Sequence, residues 1–165
     1  MTRPIRLHQN VIYITQVFRN ALLQADSCLN CTVAGGTDSP LNVSKPLKEN
    51  SRQTSQRAEL MAALVALNQI ERLVNQERDL DLFVILTDSA YLVNSLTSYI
   101  YKWRENDYRS ASGREVANRD LFERLDYKLN AMANGRQGID VLFCKVDRSE
   151  NEEADRLSRE GAEMH

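Results

Sequence analysis

The stretch LDLFVILTDSAYLVNSL, residues 80–96, places an apolar run directly before an acid and a helix-forming segment. Residues 80–86 are almost continuously apolar, which is typical of a central strand buried on both faces. Asp88 follows this strand after Thr87. Because ligands bind at the carboxyl ends of strands in open α/β sheets, the stretch predicts both a sheet and a functional acid at its edge.

Strand and helix patterns on both sides of this stretch predict a mixed sheet. Strands are predicted at residues 10–17, 28–35, 41–47, 80–86 and 139–146. Helices are predicted at residues 56–76, 89–96, 99–106, 117–134 and 151–162. Three early strands followed by alternating helices and strands favour an α/β fold in which helices flank a mixed sheet.

Length and composition indicate a single globular domain over residues 1–165. Of these residues, 42% are hydrophobic and 27% are charged, which is ordinary for a soluble protein. No segment approaches the run of about 18 apolar residues that a membrane span requires, so no membrane partner is expected. The net charge of −2 neither excludes nor demonstrates a local basic surface for nucleic acid.

The three cysteines predict an intracellular, reducing compartment in which thiols serve as small core residues. Cys28, Cys31 and Cys144 are odd in number, and no signal peptide precedes them. Cys28 and Cys31 form a C-x-x-C pair, but it lies in a strand-like stretch, and the histidines, His8 and His165, stand near the chain ends. A metal or redox role is therefore disfavoured.

Three acids occupy positions that are unusual for surface acids. Glu59 lies in the first turn of the long predicted helix, Asp88 ends the central strand, and Asp155 lies in the first turn of the last helix. A helix cap or the helix dipole would explain each of them alone. Gathered at one sheet edge they would repel one another, and such clusters usually hold divalent metal.

Four segments of the chain resemble the cellular, type 1 ribonuclease H family. They are RQTSQRAELMAAL, LTDSAYLVNSL, YKWRENDYRSASGREVANRDLF and NEEADRLSREGA. They follow the family's order and nearly its spacing, from about residue 40 to residue 163. The resemblance implies a ribonuclease H-like fold with a five-stranded mixed sheet flanked by helices. It also implies cleavage of the RNA strand of RNA–DNA hybrids with two Mg²⁺ ions held by four carboxylates.

The resemblance assigns three of the four carboxylates and replaces one. Glu59, Asp88 and Asp155 match the second, third and fourth. The first stands at the end of the first strand in the family, and an ungapped count back from the second strand places Gln16 there, after Thr15. Because that carboxylate bridges both metals in the family, a neutral amide implies weak or absent binding of Mg²⁺ or Mn²⁺.

The resemblance also implies a nucleic-acid-binding surface for RNA–DNA hybrid or double-stranded RNA. Arg52, Thr54 and Asn118 match residues that bind a phosphate of the DNA strand. Ser55 and Gln56 match groups that contact the RNA minor groove and its 2′-hydroxyls.

Trp103 matches an aromatic residue that lines the family's DNA-binding channel. A core position on an amphipathic helix explains this tryptophan equally well. Both interpretations stay open.

Two further departures concern segments near the expected site. VDRSENEEAD runs from the last strand to the last helix without the family's histidine-containing loop, which assists proton transfer and product release. The first hairpin lacks the family's Gly- and Asn-containing turn, and its apolar residues Val17, Phe18, Leu22 and Leu23 suit a protein partner.

Three hypotheses follow. The first is a ribonuclease H-fold protein that binds nucleic acid but has lost cleavage. The second is an active hybrid-cleaving enzyme, with Asp26 or a single metal ion compensating for Gln16. The third is a protein-interaction scaffold that uses the apolar 17–23 segment. Fold alone does not decide among them.

Overall fold

The computed structural model describes residues 11–17, 30–34, 43–46, 54–76 and 81–147, with the backbone alone for the first three ranges. The strands are Val11–Val17 (β1), Asn30–Ala34 (β2), Val43–Pro46 (β3), Leu82–Thr87 (β4) and Asp140–Lys145 (β5). The helices are Ser55–Gln76 (α1), Ala90–Asn94 (α2), Ile100–Glu105 (α3) and Arg119–Ala133 (α4). A π-helical turn, Ser95–Tyr99, joins α2 to α3.

The five strands form one mixed sheet in the order β3-β2-β1-β4-β5. β1, β2 and β3 pair antiparallel, whereas β4 runs parallel to both β1 and β5. The long α1 helix supplies the crossover between β3 and β4. The predicted fold class, a five-stranded mixed sheet with helices, is confirmed.

The hydrophobic core lies on one face of β4. Phe83, Ile85 and Thr87 are buried there, and they alternate with Leu82, Val84 and Leu86, which are only partly buried. Side chains from the helices complete this core: Leu60, Leu64, Leu67, Ile70, Leu92, Leu121, Phe122 and Leu125. The prediction that this strand is buried on both faces therefore holds in part, because one face is fully buried and the other is partly buried.

The sequence predicts two separate short helices, at 89–96 and 99–106, but the π-helical turn joins them into one continuous helical run. Leu92, Leu96 and Ile100 recur every four residues and are all buried. In a regular α-helix that spacing would rotate each successive side chain by about 40° away from the core. The wider turn over Ser95–Tyr99 reduces this rotation, so the apolar stripe continues across the junction.

Some predictions fall outside the described residues or fail within them. The last helix, predicted at 151–162, and the apolar segment beyond Val17 lie outside, so both stay predictions. Cys144 is exposed on β5, next to the buried Phe143, and the prediction of a core thiol is wrong for it because successive strand residues face opposite sides. In the described ranges, no helix combines the length and apolarity that crossing a bilayer demands.

Candidate functional site

The carboxyl end of β4 forms an acidic edge with its own local hydrogen bonds. Thr87 Oγ1 accepts a bond from the backbone N–H of Ser89 at 3.1 Å. Ser89 is the N-cap of α2, because its Oγ accepts from the backbone N–H of Leu92, also at 3.1 Å. Asp88 is therefore not the cap of this helix, and the capping explanation for this acid is wrong.

Glu59 of α1 is tied to the same edge. The Ser89 hydroxyl donates a hydrogen bond to Glu59 Oε2. Burial raises the pKa of Glu59, the bond from Ser89 lowers it, and the nearby charge of Asp88 raises it further, so that the pKa lies above its usual value. The fold thus brings two carboxylates together at the end of β4.

The position of Glu59 in its helix differs from the prediction. Because α1 begins at Ser55, Glu59 is the fifth helical residue, and no acid lies in the first turn. The interaction with the helix dipole declines beyond that turn, so the dipole no longer accounts for this acid. The hydrogen bond from Ser89 and the partial burial of Glu59 account for its position instead.

The backbone of β1 reaches the same edge of the sheet. Ile14 is in register with Thr87 across the parallel pair, and Gln16 lies two residues further along β1, paired with Cys31 of β2. The residue at the end of the first strand therefore lies beside the end of β4, as the ribonuclease H resemblance implies. Within the described part of the chain, no three His, Cys, Asp or Glu residues gather as a metal site.

A groove of about 420 Å³ lies between the start of α1 and the start of α4. Its lining consists of Thr54, Gln56, Arg57, Glu115, Ala117, Asn118, Arg119, Asp120 and Glu123. Three residues of the predicted binding surface, Thr54, Gln56 and Asn118, are among them. Ser55 starts α1 next to the groove, whereas Arg52 and Asp155 lie outside the described residues.

Thr54 and Asn118 present polar groups to this groove by different means. Thr54 Oγ1 accepts the backbone N–H of Arg57 at 3.2 Å and so caps α1, which leaves its hydroxyl hydrogen available to donate. Asn118 precedes α4 in a left-handed conformation, with φ of 61°, and its side chain does not cap the helix. Instead its Oδ1 accepts a bond from Arg57 Nη1 at 3.3 Å.

Comparison with known proteins agrees with this geometry. The sequence model of the RNase H family matches residues 23–163. The chain belongs to the ribonuclease H family. It is 35% identical to human ribonuclease H1 over 133 residues, which are 78% of this chain and 42% of that protein. It is 32% identical to ribonuclease HI of Haemophilus influenzae over 143 residues, which are 83% of this chain and 85% of that protein.

The chain spans less than half of the length of the mammalian ribonuclease H1 proteins that it resembles. Solved structures share its fold at lower sequence identity. LC11-RNase H1 in complex with an RNA/DNA hybrid superposes with a TM-score of 0.58 at 17% identity, covering 91% of this chain and 94% of that one. The foamy viral protease-reverse transcriptase in complex with RNA/DNA hybrid gives 0.65 at 17% identity, covering 100% of this chain and 22% of that one.

Trp103 lies in α3, apart from the groove of this ribonuclease H family member. Its ring packs against Phe122 at 4.9 Å and Tyr99 at 5.9 Å between centroids, and the side chain is partly buried. The core interpretation is correct for one side of the ring. Its role in a DNA-binding channel stays a prediction.

Sequence reasoning missed two residues that organise this ribonuclease H site. Arg57 contacts Asn118 and binds Asp120 with both terminal guanidinium nitrogens, at 3.0 and 2.6 Å. Ser89 joins α2 to Glu59. The capping position of Ser89, directly after a strand and an acid, was a signal for it in the sequence, whereas nothing local to Arg57 indicated its partners on α4.

Proposed function

We propose that this chain binds RNA–DNA hybrids across the groove and the acidic edge, and that its cleavage of the RNA strand is weak or absent. The orientation of Asn118 carries the binding part of this proposal. A helix N-terminus normally uses its asparagine as a cap, but here the residue has a left-handed backbone, lines the groove and accepts a bond from Arg57 instead. Thr54 adds a hydroxyl donor to the same groove, as a phosphate-binding site requires.

Two relatives with the same fold support the choice of ligand, since their structures were solved in complex with RNA/DNA hybrid. The exposed Gln56 lies in the groove and can offer an amide to the minor groove of the RNA strand. Double-stranded RNA presents the same 2′-hydroxyls and a similar groove. It is therefore the natural competitor in binding experiments.

The acidic edge fits a divalent cation in part. Glu59 and Asp88 would hold Mg²⁺ or Mn²⁺, together with Asp155 if the last helix brings it there, because hard cations prefer carboxylate oxygens. Burial, and to a lesser degree the charge of Asp88, raise the pKa of Glu59, and a bound cation would favour its ionised form against both. When bound, such a cation supplies Lewis-acid activation for phosphodiester hydrolysis. Ser89 holds the Glu59 carboxylate in place, whereas the residue at the end of β1, Gln16, contributes no charge.

A second candidate function is cleavage of the RNA strand of hybrids. The pairing of Glu59 with Asp88 favours it, because two carboxylates kept close despite their repulsion are typical of a working metal site. In this case Asp26 or a single cation would compensate for Gln16. Only a measurement of cleavage separates this candidate from the first.

The decisive experiment compares hybrid cleavage by the parent and by Gln16→Asp, in Mg²⁺ and in Mn²⁺. Under the main proposal the parent is inactive or nearly so, and the variant gains activity that Asp88→Asn removes again. Substantial cleavage by the parent that falls on Glu59→Gln or Asp88→Asn would overturn the loss of activity and establish the second candidate. If neither protein cuts, the missing histidine loop or the altered hairpin also prevents catalysis.

Binding is tested separately, without divalent metal, by titrating labelled RNA–DNA hybrid at several salt concentrations. We expect the affinity to fall with salt and to weaken on Arg52→Ala and Asn118→Ala. Asn75→Ala, an exposed asparagine near the far end of α1, is the matched control and should bind as the parent does. Absence of hybrid binding at every salt concentration would remove the proposal.

A further inference from the structure

The groove contains more acids than bases among its lining residues. Its two arginines, Arg57 and Arg119, are outnumbered by Glu115, Asp120 and Glu123. A phosphate that enters the groove therefore meets carboxylates as well as hydrogen-bond donors. This charge balance is unexpected for a surface that is proposed to bind a polyanion.

Arg57 already forms a two-point ion pair with one of these acids, Asp120. Its Nη1 and Nη2 contact the two oxygens of Asp120 at 3.0 and 2.6 Å, and Nη1 also reaches Asn118 Oδ1 at 3.3 Å. The bond to Asp120 raises the pKa of Arg57, and the same bond lowers the pKa of Asp120, so both groups stay charged near neutral pH. Arg57 Nη1, which donates to Asn118, is thus shared with the Asp120 carboxylate.

Arg119 is occupied in the same manner. It contacts Asp107 Oδ1 at 2.7 Å, Glu123 Oε1 at 2.8 Å and Glu115 Oε2 at 3.8 Å. Its Nη1 also donates to the backbone oxygen of Asp107 at 3.0 Å. Because several acids hold Arg119 at once, it is the less available of the two arginines for a ligand.

We infer that Asp120 competes with a nucleic-acid phosphate for Arg57 and thereby limits the affinity of this chain for RNA–DNA hybrid. The inference rests on the proposed function and extends it to the control of affinity. The Asp120 side chain is 57% exposed, so solvent screens its pairing with Arg57 and the guanidinium can exchange partners at little cost. A phosphodiester offers Arg57 the same two-oxygen geometry that Asp120 now provides.

The test measures the Kd for a fluorophore-labelled RNA–DNA hybrid, without divalent metal, in the parent and four variants. They are Asp120→Asn, Arg57→Ala, the double variant that combines both, and Asp140→Asn. We expect Asp120→Asn to lower the Kd about fivefold, because Arg57 loses its carboxylate partner and can pair with the phosphate instead. Asp140→Asn is the control. It removes an exposed charge at the start of β5, at the end of the sheet opposite the acidic edge, and should leave the Kd within about twofold of the parent.

The double variant shows whether the gain in affinity for hybrid on Asp120→Asn depends on Arg57. If Asp120 limits affinity by holding Arg57, then Asp120→Asn brings no gain in the Arg57→Ala background. An equal gain in both backgrounds would mean a general charge effect and would overturn the inference. Thermal unfolding of each variant verifies that the proteins compared are folded.

Failure of the inference differs visibly from failure of the proposed function. Hybrid binding by the parent that Asp120→Asn leaves unchanged or weakens overturns the inference alone. Absence of binding by the parent and by every variant overturns both. Binding that appears only in Asp120→Asn supports the inference and overturns the proposal that the parent binds hybrid.

Discussion

Ser89 donates its hydroxyl hydrogen to Glu59 Oε2 while its oxygen accepts the backbone N–H of Leu92 at 3.1 Å. One buried side chain therefore begins α2 and fixes a carboxylate of α1. We expect Ser89→Ala to lower the free energy of unfolding by about 1–2 kcal/mol, because the helix loses its cap and the acid loses a donor. Urea denaturation measures this loss, and the exposed Ser98→Ala should show none.

The charge of Asp88 is one cause of the raised pKa of Glu59. Asp88→Asn should therefore lower the pKa of Glu59, and Ser89→Ala should raise it. A carboxyl-detected NMR titration of Glu59 measures both shifts. Equal Glu59 titrations in parent and Asp88→Asn would contradict the close approach of the two acids.

The raised pKa of Glu59 also makes stability depend on pH. The folded state binds the Glu59 proton more tightly than the unfolded state does, so the ionised carboxylate destabilises the fold above its ordinary pKa of 4.5. Glu59→Gln should raise the Tm near pH 7, because the neutral amide avoids the cost of burying the ionised carboxylate. The difference should shrink as the pH falls through the raised pKa and vanish below 4.5, where Glu59 is protonated in both the folded and the unfolded state.

Tyr108 connects the loop before α4 to that helix through its hydroxyl, which donates to Asp126 Oδ2 at 3.0 Å. Burial, and then the bond and charge of Asp126, raise the pKa of Tyr108 to about 12. Tyr108→Phe should cost about 1 kcal/mol at pH 7. As the pH rises from 10 toward 12 the parent loses stability, since only its unfolded state ionises, and the two proteins should converge. Tyr127→Phe, at a 76% exposed residue, is the control.

Trp103 is the sole tryptophan of the chain, so its fluorescence reports one position. Part of its ring packs on Phe122, and the remainder is accessible. If this accessible part lines a channel for the DNA strand, addition of hybrid should quench its emission, and Trp103→Phe should weaken binding while the protein stays folded. Unchanged emission while anisotropy detects binding would assign Trp103 to the core alone.

Because Asn118 has a left-handed backbone, two substitutions can separate the role of its side-chain amide from the role of its backbone conformation. Asn118→Gly keeps the conformation at no steric cost, whereas Asn118→Ala adds strain of about 1 kcal/mol. Both variants should lose affinity for hybrid, but the alanine variant should lose more stability than the glycine variant. A glycine variant that binds as tightly as the parent would show that the amide is unimportant.

The elements that position the site were predictable because their signals are local. The apolar run that ends at Asp88 predicted β4, and the spacing of Ala63, Leu67 and Ile70 predicted α1 to within one residue. Both patterns depend only on neighbours along the chain. The difference in burial between the two faces of β4 was not predictable, since the strand's composition does not show how completely each side is covered.

The contacts that organise the site join residues far apart in sequence, and no local pattern reveals them. Arg57 and Asp120 meet because α1 and α4 pack side by side, and sequence spacing carries no trace of that arrangement. Asp107 and Tyr108 adopt positive φ values of 55° and 53°, which side chains other than glycine rarely do. The bonds from Arg119 to Asp107 and from Tyr108 to Asp126 hold them there.

Of the strands that the structure describes, β1 comes first in sequence and lies in the middle of the sheet. During synthesis its antiparallel partner β2 follows soon, but β4 emerges only after the whole of α1. Until then one side of β1 presents unpaired backbone groups, which is the kind of edge that recruits wrong partners and starts aggregation. The arrival of β4 pairs this side of β1 and brings Asp88 beside Glu59 in the same step, so the pairing that protects the nascent chain also assembles the first two acids of the edge.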